Sequence, residues 1–254
     1  MDLPTLNSMV SNKVSIIIPT LNEEKILPEL FVNLEQLDPK PFEIIFVDGP
    51  SKDETACLIQ KNGYKLIRTI GKGRALQMNE GAFQAFGDLI VFLHADTRVP
   101  KNLVNIVSNT LQNKKITLAG FTSIMKGDVK VRSFISIQNK FKTYIGAFIY
   151  NPFRCVCYGF RLLFGDQVMF CRRSDFIKIG GFNHELPIME DADLCLRINK
   201  LGKIKQIKEK VYSSDRRVEV LGLYEAYIRY LKIYFFWRLG ASPTWLKAQY
   251  EDIR

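Results

Sequence analysis

Over its first half the chain alternates between two hydrophobic periods. VSIII (14–18), EIIFV (43–47) and DLIVFL (88–93) are short apolar runs rich in β-branched residues, and YKLIRT (64–69) is a weaker run of the same kind. Between them the apolar positions fall at helical spacing: Ile26, Leu27, Leu30, Leu34 and Leu37, then Ala56 to Gln60, then Leu76 to Phe86. Strands alternating with helices across short links predict an α/β fold with a mostly parallel central sheet covered on both faces. From about Lys126 to Phe164 the period dissolves into an aromatic stretch broken by cations. Regularity returns with QVMFCR (167–172), SDFIKIGGF (174–182) and the helix-like EDADLCLRINKLG (190–202), and LGLYEAYIRYLKIYFFWRLG (221–240) reads as an aromatic helix with scattered Arg and Lys.

In a parallel sheet of this kind, ligands bind beyond the carboxyl ends of the strands. The segments expected there are PTLNEE (19–24), DGPSKDET (48–55), GKGR (71–74) and HADT (94–97). All four are polar or glycine-rich and three carry carboxylates, so four loops converging on one rim predict a cleft.

Each loop has an ordinary reading beside a chemical one. GKGR lacks phosphate-loop spacing, yet two glycines, Lys72 and Arg74 just before a helix suit an anion as well as a plain turn. In DGPSKDET, Ser51 or Asp53 is expected to cap the next helix. Asp48, directly at the strand end, is not explained by capping. Asp96 is either a helix cap or a carboxylate for a divalent cation that phosphate oxygens also hold, as Mg²⁺ is commonly bound. His94 beside it is a packing residue or a softer ligand pointing to Mn²⁺. Glu190 and Asp191 open a helix, where acids complement the dipole; one of them serves equally as a general base at a cleft rim.

The chain has 254 residues and a formal charge of +10, from 36 Lys and Arg against 26 Asp and Glu. That excess favours anionic partners: nucleotide phosphates, acidic lipid or nucleic acid. The basic pairs Lys114–Lys115, Arg172–Arg173 and Arg216–Arg217 do not form the dense basic stripe of a nucleic-acid module, so no nucleic-acid partner is expected. Five cysteines with no C-x-x-C spacing and only two histidines argue against structural zinc and for reduced thiols in the cytoplasm, with Cys155 and Cys157 as packing residues. The N-terminal residues lack a signal-peptide pattern, and no apolar run reaches the length of about 18 residues that spans a bilayer. Residues 134 to 164 and Tyr224 to Arg238 nevertheless mix aromatics with cations, as segments lying on an anionic membrane do. A peripheral position at the inner face of the cell membrane is one reading; an aromatic core helix is the other.

Taken in order, SIIIPTLNEE, IIFVDGPSKDET, GKGRALQMNEGA, FLHADTRVP, GDQVMFCRR and GGFNHELPIMEDADLCLRINKLGK resemble the family 2 glycosyltransferases of GT-A fold. More narrowly they are similar to a subgroup named radical-SAM/selenodomain-associated transferase 2, as are VYSSDRR and LGASPTWLKAQYEDIR. The resemblance implies a single GT-A domain with a nucleotide-sugar half at about 14–125, an acceptor-side half at about 126–220 and C-terminal helices at about 221–254. It further implies that Pro19, Thr20, Asn22, Glu23 and Ala95 line the nucleotide pocket, with Asp48 accepting from the base and favouring uridine. Arg74, Gln77 and Asn79 would approach the nucleotide and its diphosphate. Asp96 would match the last acid of the family's D-x-D and bind Mg²⁺ or Mn²⁺. Glu190 and Asp191 match the E-D pair whose aspartate deprotonates the acceptor hydroxyl, and Gly165, Asp166, Gln167, Arg216 and Arg217 would lie on the acceptor side. The implied activity is inverting, metal-dependent, hexosyltransferase-type transfer from a nucleotide-diphosphate sugar to a hydroxyl acceptor; a silent nucleotide- or anion-binding module on the same fold is the alternative. Three positions depart from the family pattern: His94 replaces the first acid of D-x-D, Pro50 replaces a glycine, and Asp215 stands beside Arg216 and Arg217.

Overall fold

The computed structural model describes residues 12–71, 73–126, 142–214 and 223–250. Its first half is strand–helix alternation: β1 (Val14–Thr20), α1 (Leu27–Glu35), β2 (Glu43–Asp48), α2 (Thr55–Lys61), β3 (Lys65–Arg68), α3 (Arg74–Phe83), β4 (Leu89–Phe92) and α4 (Leu103–Gln112). The second half holds β5 (Ile116–Lys126), a π-turn (Lys142–Gly146) leading into α5 (Ala147–Tyr150), α6 (Pro152–Cys157), a 3₁₀ turn (Gly165–Gln167), β6 (Phe170–Arg172) and α7 (Arg173–Lys178). It continues through α8 (Glu190–Ile198), β7 (Lys203–Ser214), α9 (Leu223–Arg238) and α10 (Pro243–Ala248).

The strands form one seven-stranded sheet in the order β3-β2-β1-β4-β6-β5-β7. Only β6 runs against the rest: it pairs antiparallel with β4 and β5, whereas β1–β2, β2–β3, β1–β4 and β5–β7 are parallel. The expected α/β sheet is therefore present as a mixed sheet with one reversed strand. Its two faces are read directly from alternate residues. Ile17, Ile45 and Val47 join Met78 and Ala82 of α3, Leu194 and Ile198 of α8, Ile233 of α9 and Leu246 of α10 in one core. Ile16, Ile18 and Phe46 join Leu30 and Leu34 of α1, Ile59 of α2 and Val107 of α4 in the other. Gly81 lets α3 settle onto the sheet, because a Cβ there would run into Ile17 and lie 2.9 Å from Val47 Cγ2.

Several expectations need revision. α3 begins at Arg74 itself, two residues before the helical period announces it. Within QVMFCR only residues 170–172 are strand, preceded by the 3₁₀ turn. β5 and β7 have no counterpart in the periodic reading, although they are the longest strands. In β7 the inward residues Ile204, Ile207, Val211 and Ser213 are spaced 3, 4 and 2 apart because the register with β5 slips between Gly120 and Thr122. An irregularity of that kind turns a strand's period of two into something close to a helical one. Cys155 is buried as expected but Cys157 is exposed, and all five cysteines are free thiols.

Candidate active site

The cleft follows from the strand order. β1 remains paired with β2 through Thr20↔Asp48, but its pairing with β4 stops at Ile17↔Phe92. At that point the sheet order reverses, and the carboxyl ends of β1 and β4 open a crevice, the usual ligand position in such sheets. Pro19, which has no N–H to donate, is tolerated in this central strand because its β4 side is already unpaired.

Asp48 ends β2, level with Thr20 at the end of β1. It is fully buried, and its Oδ1 accepts from Thr20 Oγ1 at 2.9 Å and Ser51 Oγ at 2.7 Å. Burial pushes the Asp48 carboxyl up, against the opposing pull of those two hydroxyls. The loops after β1 and β2 are fastened side by side. Asn22 sits in the left-handed region (φ 54°), donates its N–H to Ser51 Oγ at 2.9 Å and accepts from the Lys52 N–H at 2.8 Å. The Glu23 N–H donates to Thr55 Oγ1 at 2.8 Å. Asp53 is not the N-cap of α2, which is Glu54 with no side-chain cap; from one position earlier it accepts from the Thr55 N–H at 3.1 Å and from the Glu24 N–H at 3.2 Å. Ser51 instead holds the Asp48 carboxylate.

Two residues read from the resemblance as nucleotide contacts face inward. Gln77 Nε2 donates to the carbonyls of Thr20 and Val47 at 2.6 and 2.7 Å, tying α3 to the ends of β1 and β2. Asn79 exchanges two 2.8 Å hydrogen bonds with the backbone of Phe182, across 103 residues of chain. Both amides are engaged by main chain, so here they brace the cleft walls.

Arg74 opens α3 and reaches across to α8, its Nη2 standing 3.1 Å from Glu190 Oε1. α8 starts after Met189, a second non-glycine residue in the left-handed region (φ 69°), and that turn carries Glu190 and Asp191 inward. Glu190 is 2% and Asp191 6% exposed. Asp191 Oδ2 accepts from the Gly165 N–H at 2.8 Å. Burial first, and the neighbouring Glu190 second, push the Asp191 carboxyl up to about 8, while Arg74 and the Gly165 N–H act in the opposite direction. Among the described residues, Asp48 Oδ2, Glu190 Oε2 and Asp191 Oδ1 are buried oxygens with no hydrogen-bond partner, a cost of about 1–3 kcal/mol each that stable folds seldom carry away from functional sites.

The β4 rim meets the 3₁₀ turn at Gly165 through His94. A Cβ on Gly165 would overlap the Cε1–Nε2 edge of the His94 ring and lie 3.3 Å from Asp191 Oδ2, so the imidazole packs against the glycine that holds Asp191. Ala95 behind it is buried, and Asp96 is half-buried with its Oδ1 accepting from Thr97 Oγ1 at 3.3 Å. Thr97 Oγ1 also lies 3.2 Å from Ser213 Oγ, and Arg98 bridges Tyr212, so the end of β7 closes on the same rim. Arg216 and Arg217, two residues further on, lie outside the described residues. Asp166 is half-buried in the 3₁₀ turn, whereas Gln167 is buried, accepting from the Phe164 N–H at 2.9 Å and donating to Thr143 Oγ1 at 3.1 Å. Val168 leaves that turn at φ 47°, a strained conformation for a β-branched residue and one that clusters at functional sites.

Sequence reasoning quotes Thr97 and Ser213 only within longer segments and does not single out Thr143; for His94, the packing alternative matches its contact with Gly165. No periodic or motif signal marks Thr143, which sits in the aperiodic stretch. For a metal, the donor set offers Asp96 at the rim. No group of three or more His, Cys, Asp or Glu side chains is gathered to enclose an ion among the described residues. One carboxylate open to a diphosphate fits a hard cation that takes its remaining ligands from phosphate and water.

Comparison with known proteins agrees with this geometry. The model of glycosyl transferase family 2 matches residues 15–168. A PGL/p-HBAD biosynthesis glycosyltransferase of Mycobacterium bovis is 30% identical over 201 residues, covering 74% of this chain and 70% of its own. The dolichol-phosphate mannosyltransferase of Pyrococcus furiosus is 33% identical over 124 residues, 46% of this chain and 35% of its own. Among solved structures, S. aureus TarS 1-349 in complex with UDP superposes with a TM-score of 0.60 at 20% identity, over 83% of this chain and 63% of that one. Glucosyl-3-phosphoglycerate synthase from Mycobacterium tuberculosis, in complex with Mn²⁺, UDP and phosphoglyceric acid, gives 0.60 at 20% identity over 90% and 79%. This chain thus spans less than two thirds of the TarS chain and about a third of the archaeal enzyme. With the sheet order, the rim acids and a family match over more than half its length, the chain belongs to glycosyl transferase family 2 and is a glycosyltransferase of GT-A fold.

Proposed function

We propose that the protein transfers a sugar from a nucleotide-diphosphate sugar, a UDP-sugar being favoured, to a hydroxyl acceptor with inversion at the anomeric carbon. The observation that carries the reading is the Asp191 carboxylate, buried at the start of α8 and aimed by the Gly165 N–H at 2.8 Å. Relatives of the same fold solved with UDP support the donor class. We take the chain from 14 onward as one catalytic unit, with the nucleotide on the side of Pro19, Thr20, Asn22, Glu23, Asp48 and Ala95.

Asp191 takes the proton from the acceptor hydroxyl as its oxygen bonds to the anomeric carbon. The bond from that carbon to the diphosphate oxygen breaks on the opposite face, and the nucleoside diphosphate leaves. A base whose pKa lies near working pH combines enough ionised form with enough driving force to accept a proton. Glu190 keeps Arg74 turned toward the site, placing a guanidinium where the diphosphate gathers charge. His94 holds the Gly165 turn in place, and Gln77 and Asn79 fix the walls; position is a large part of what such a site supplies. Asp96 is the residue that would hold Mg²⁺ or Mn²⁺, which when bound serves as a Lewis acid for the departing diphosphate. Asp166, Gln167, Arg216 and Arg217 belong to the acceptor side. We place the protein in the cytoplasm, in peripheral contact with the membrane.

The test is release of nucleoside diphosphate from a panel of UDP-, GDP- and dTDP-sugars with candidate hydroxyl acceptors. Transfer that persists undiminished in both Asp191→Asn and Asp96→Ala would refute the mechanism. Binding of the donor with neither hydrolysis nor transfer across many acceptors would point to a silent module.

A further inference from the structure

Residues 144 to 158 carry an unusual surface. The π-turn, α5 and α6 follow one another almost without a break, and their inward positions, Thr143, Ala147 and Cys155, are buried. The outward positions of a short surface helix are ordinarily polar. Here they are Tyr144, Ile145, Phe148, Ile149, Phe153 and Val156, recurring about every four residues, and Phe148, Phe153 and Val156 are 52, 64 and 76% exposed. Apolar residues thus occupy both sides of this helical run, as in a segment whose outer side is covered by something other than water.

Charge says what covers it. From Val129 to Gly165 the sequence contains Lys130, Arg132, Lys140, Lys142, Arg154 and Arg161 and no Asp or Glu. Arg161 lies over the Tyr144 ring at 5.1 Å, and Arg238 of α9 lies over Tyr150 at 5.6 Å. α9 packs against the run through Tyr150 on Trp237, centroids 5.8 Å apart, and through Tyr234 Oη donating to the Gly146 carbonyl at 2.9 Å. Its own outward residues Leu231 and Phe235, and Leu239 just past its end, are also exposed, with Lys232 and Arg238 among them. Aromatic and aliphatic side chains with the cations Arg161 and Arg238 lying over their rings match the headgroup–acyl boundary of an anionic bilayer. A protein partner would have to supply a separate acid or acceptor opposite each of these cations, whereas an anionic bilayer answers the apolar stripe with its acyl boundary and the cations with its headgroups. No helix among the described residues is long and apolar enough to cross a membrane, so the contact is lateral.

We infer that the outward face of the π-turn, α5 and α6, centred on Phe148 and Phe153, docks on the surface of an anionic phospholipid bilayer. This deepens the peripheral-contact reading by assigning it a surface. The docked face is close to the chemistry: Thr143 accepts from Gln167 Nε2 at 3.1 Å, in the same turn whose Gly165 holds Asp191. Docking there brings lipid to the acceptor side of the cleft.

The experiment is co-sedimentation of the full chain with vesicles of phosphatidylcholine alone and of phosphatidylcholine with phosphatidylglycerol, for the wild type and for Phe148→Ser/Phe153→Ser. Both side chains are solvent-facing, so the double variant should keep its circular dichroism and melting temperature; a Phe42→Ser variant, changing an exposed aromatic near the start of β2, serves as control. The expected result is salt-sensitive binding to anionic vesicles, at least tenfold weaker in the double variant and unchanged in the control. Binding that the double variant retains in full would leave peripheral contact standing and overturn the assigned surface. Absence of binding to either vesicle would overturn both. A wild-type dimer in sedimentation velocity that becomes monomeric in the double variant, without vesicle binding, would give the face to a second copy of the chain and equally overturn the inference.

Discussion

Gly165 and Asp191 are joined by a 2.8 Å hydrogen bond from the glycine N–H to the carboxylate Oδ2, and the other side of the same glycine is covered by the His94 imidazole. The aim of Asp191 therefore depends on a residue from the β4 rim, far away in sequence. Gly165→Ala would push a methyl into the His94 ring, and overpacking of this kind costs about 1–3 kcal/mol. We expect Gly165→Ala to lower the melting temperature and to reduce kcat at least tenfold. His94→Ala in the same chain should restore most of the lost stability. Strict additivity of the two substitutions in thermal melts would contradict the contact.

Asp191 gives a prediction with a definite sign. Its carboxyl is raised by burial from the usual 3.8 to about 8, so the native state holds a proton that the unfolded chain releases. Stability contributed by this group is then full below about pH 4 and is lost as pH rises toward 8. Asp191→Asn removes that loss. The variant should be more stable than wild type at pH 7–8, by at least about 1 kcal/mol because the wild-type carboxyl must take up a proton to fold there, and indistinguishable from it near pH 4. Its transfer rate should fall by about 100-fold or more, with the acidic limb of the pH–rate profile abolished. A wild-type rate independent of pH between 6 and 8 would argue against Asp191 as the base.

Arg74 and Glu190 form a pair in which only one partner is well buried. Arg74→Ala leaves the Glu190 carboxylate without its cation, a change that for buried pairs costs about 3–5 kcal/mol. Adding Glu190→Gln should recover much of that stability and none of the donor affinity, because the guanidinium is still missing. Melting temperature and donor KM, measured on both variants, separate the two effects.

Gln77→Ala and Asn79→Ala should behave as losses of bracing. Each removes two short hydrogen bonds to buried backbone, and leaving such groups unsatisfied costs about 1–3 kcal/mol. Direct nucleotide contacts would instead raise donor KM without lowering the melting temperature, so the two measurements together decide the role.

Much of the first half is legible in the sequence because parallel strands buried on both faces announce themselves as apolar runs, and the residues that end them must be polar. Asp48, Asp96 and the loop 19–24 are found in that way. β7 is not, because its register slip with β5 mimics a helical period, and the aperiodic stretch hides Thr143. The inward turn of Gln77 and Asn79 is invisible too: an amide on a helix reads the same whether it faces ligand or backbone. What His94 packs against is not legible either, since only the folded chain puts it against Gly165. The dipole and general-base readings of Glu190 and Asp191 diverge only once burial and the Gly165 contact are known.

The central claim, a metal-assisted nucleotide-sugar site at the β1–β4 crevice, is tested most directly by a thermal-shift panel of UDP-, GDP- and dTDP-sugars with and without Mn²⁺. A ligand bound to the native state raises its stability by mass action, by about 2.7 kcal/mol at a hundredfold excess over Kd. The account predicts that one nucleotide-sugar class raises the melting temperature only when Mn²⁺ is present, that Asp96→Ala removes the shift, and that Asp191→Asn keeps it. No shift with any nucleotide sugar, or an equal shift in Asp96→Ala, would contradict it.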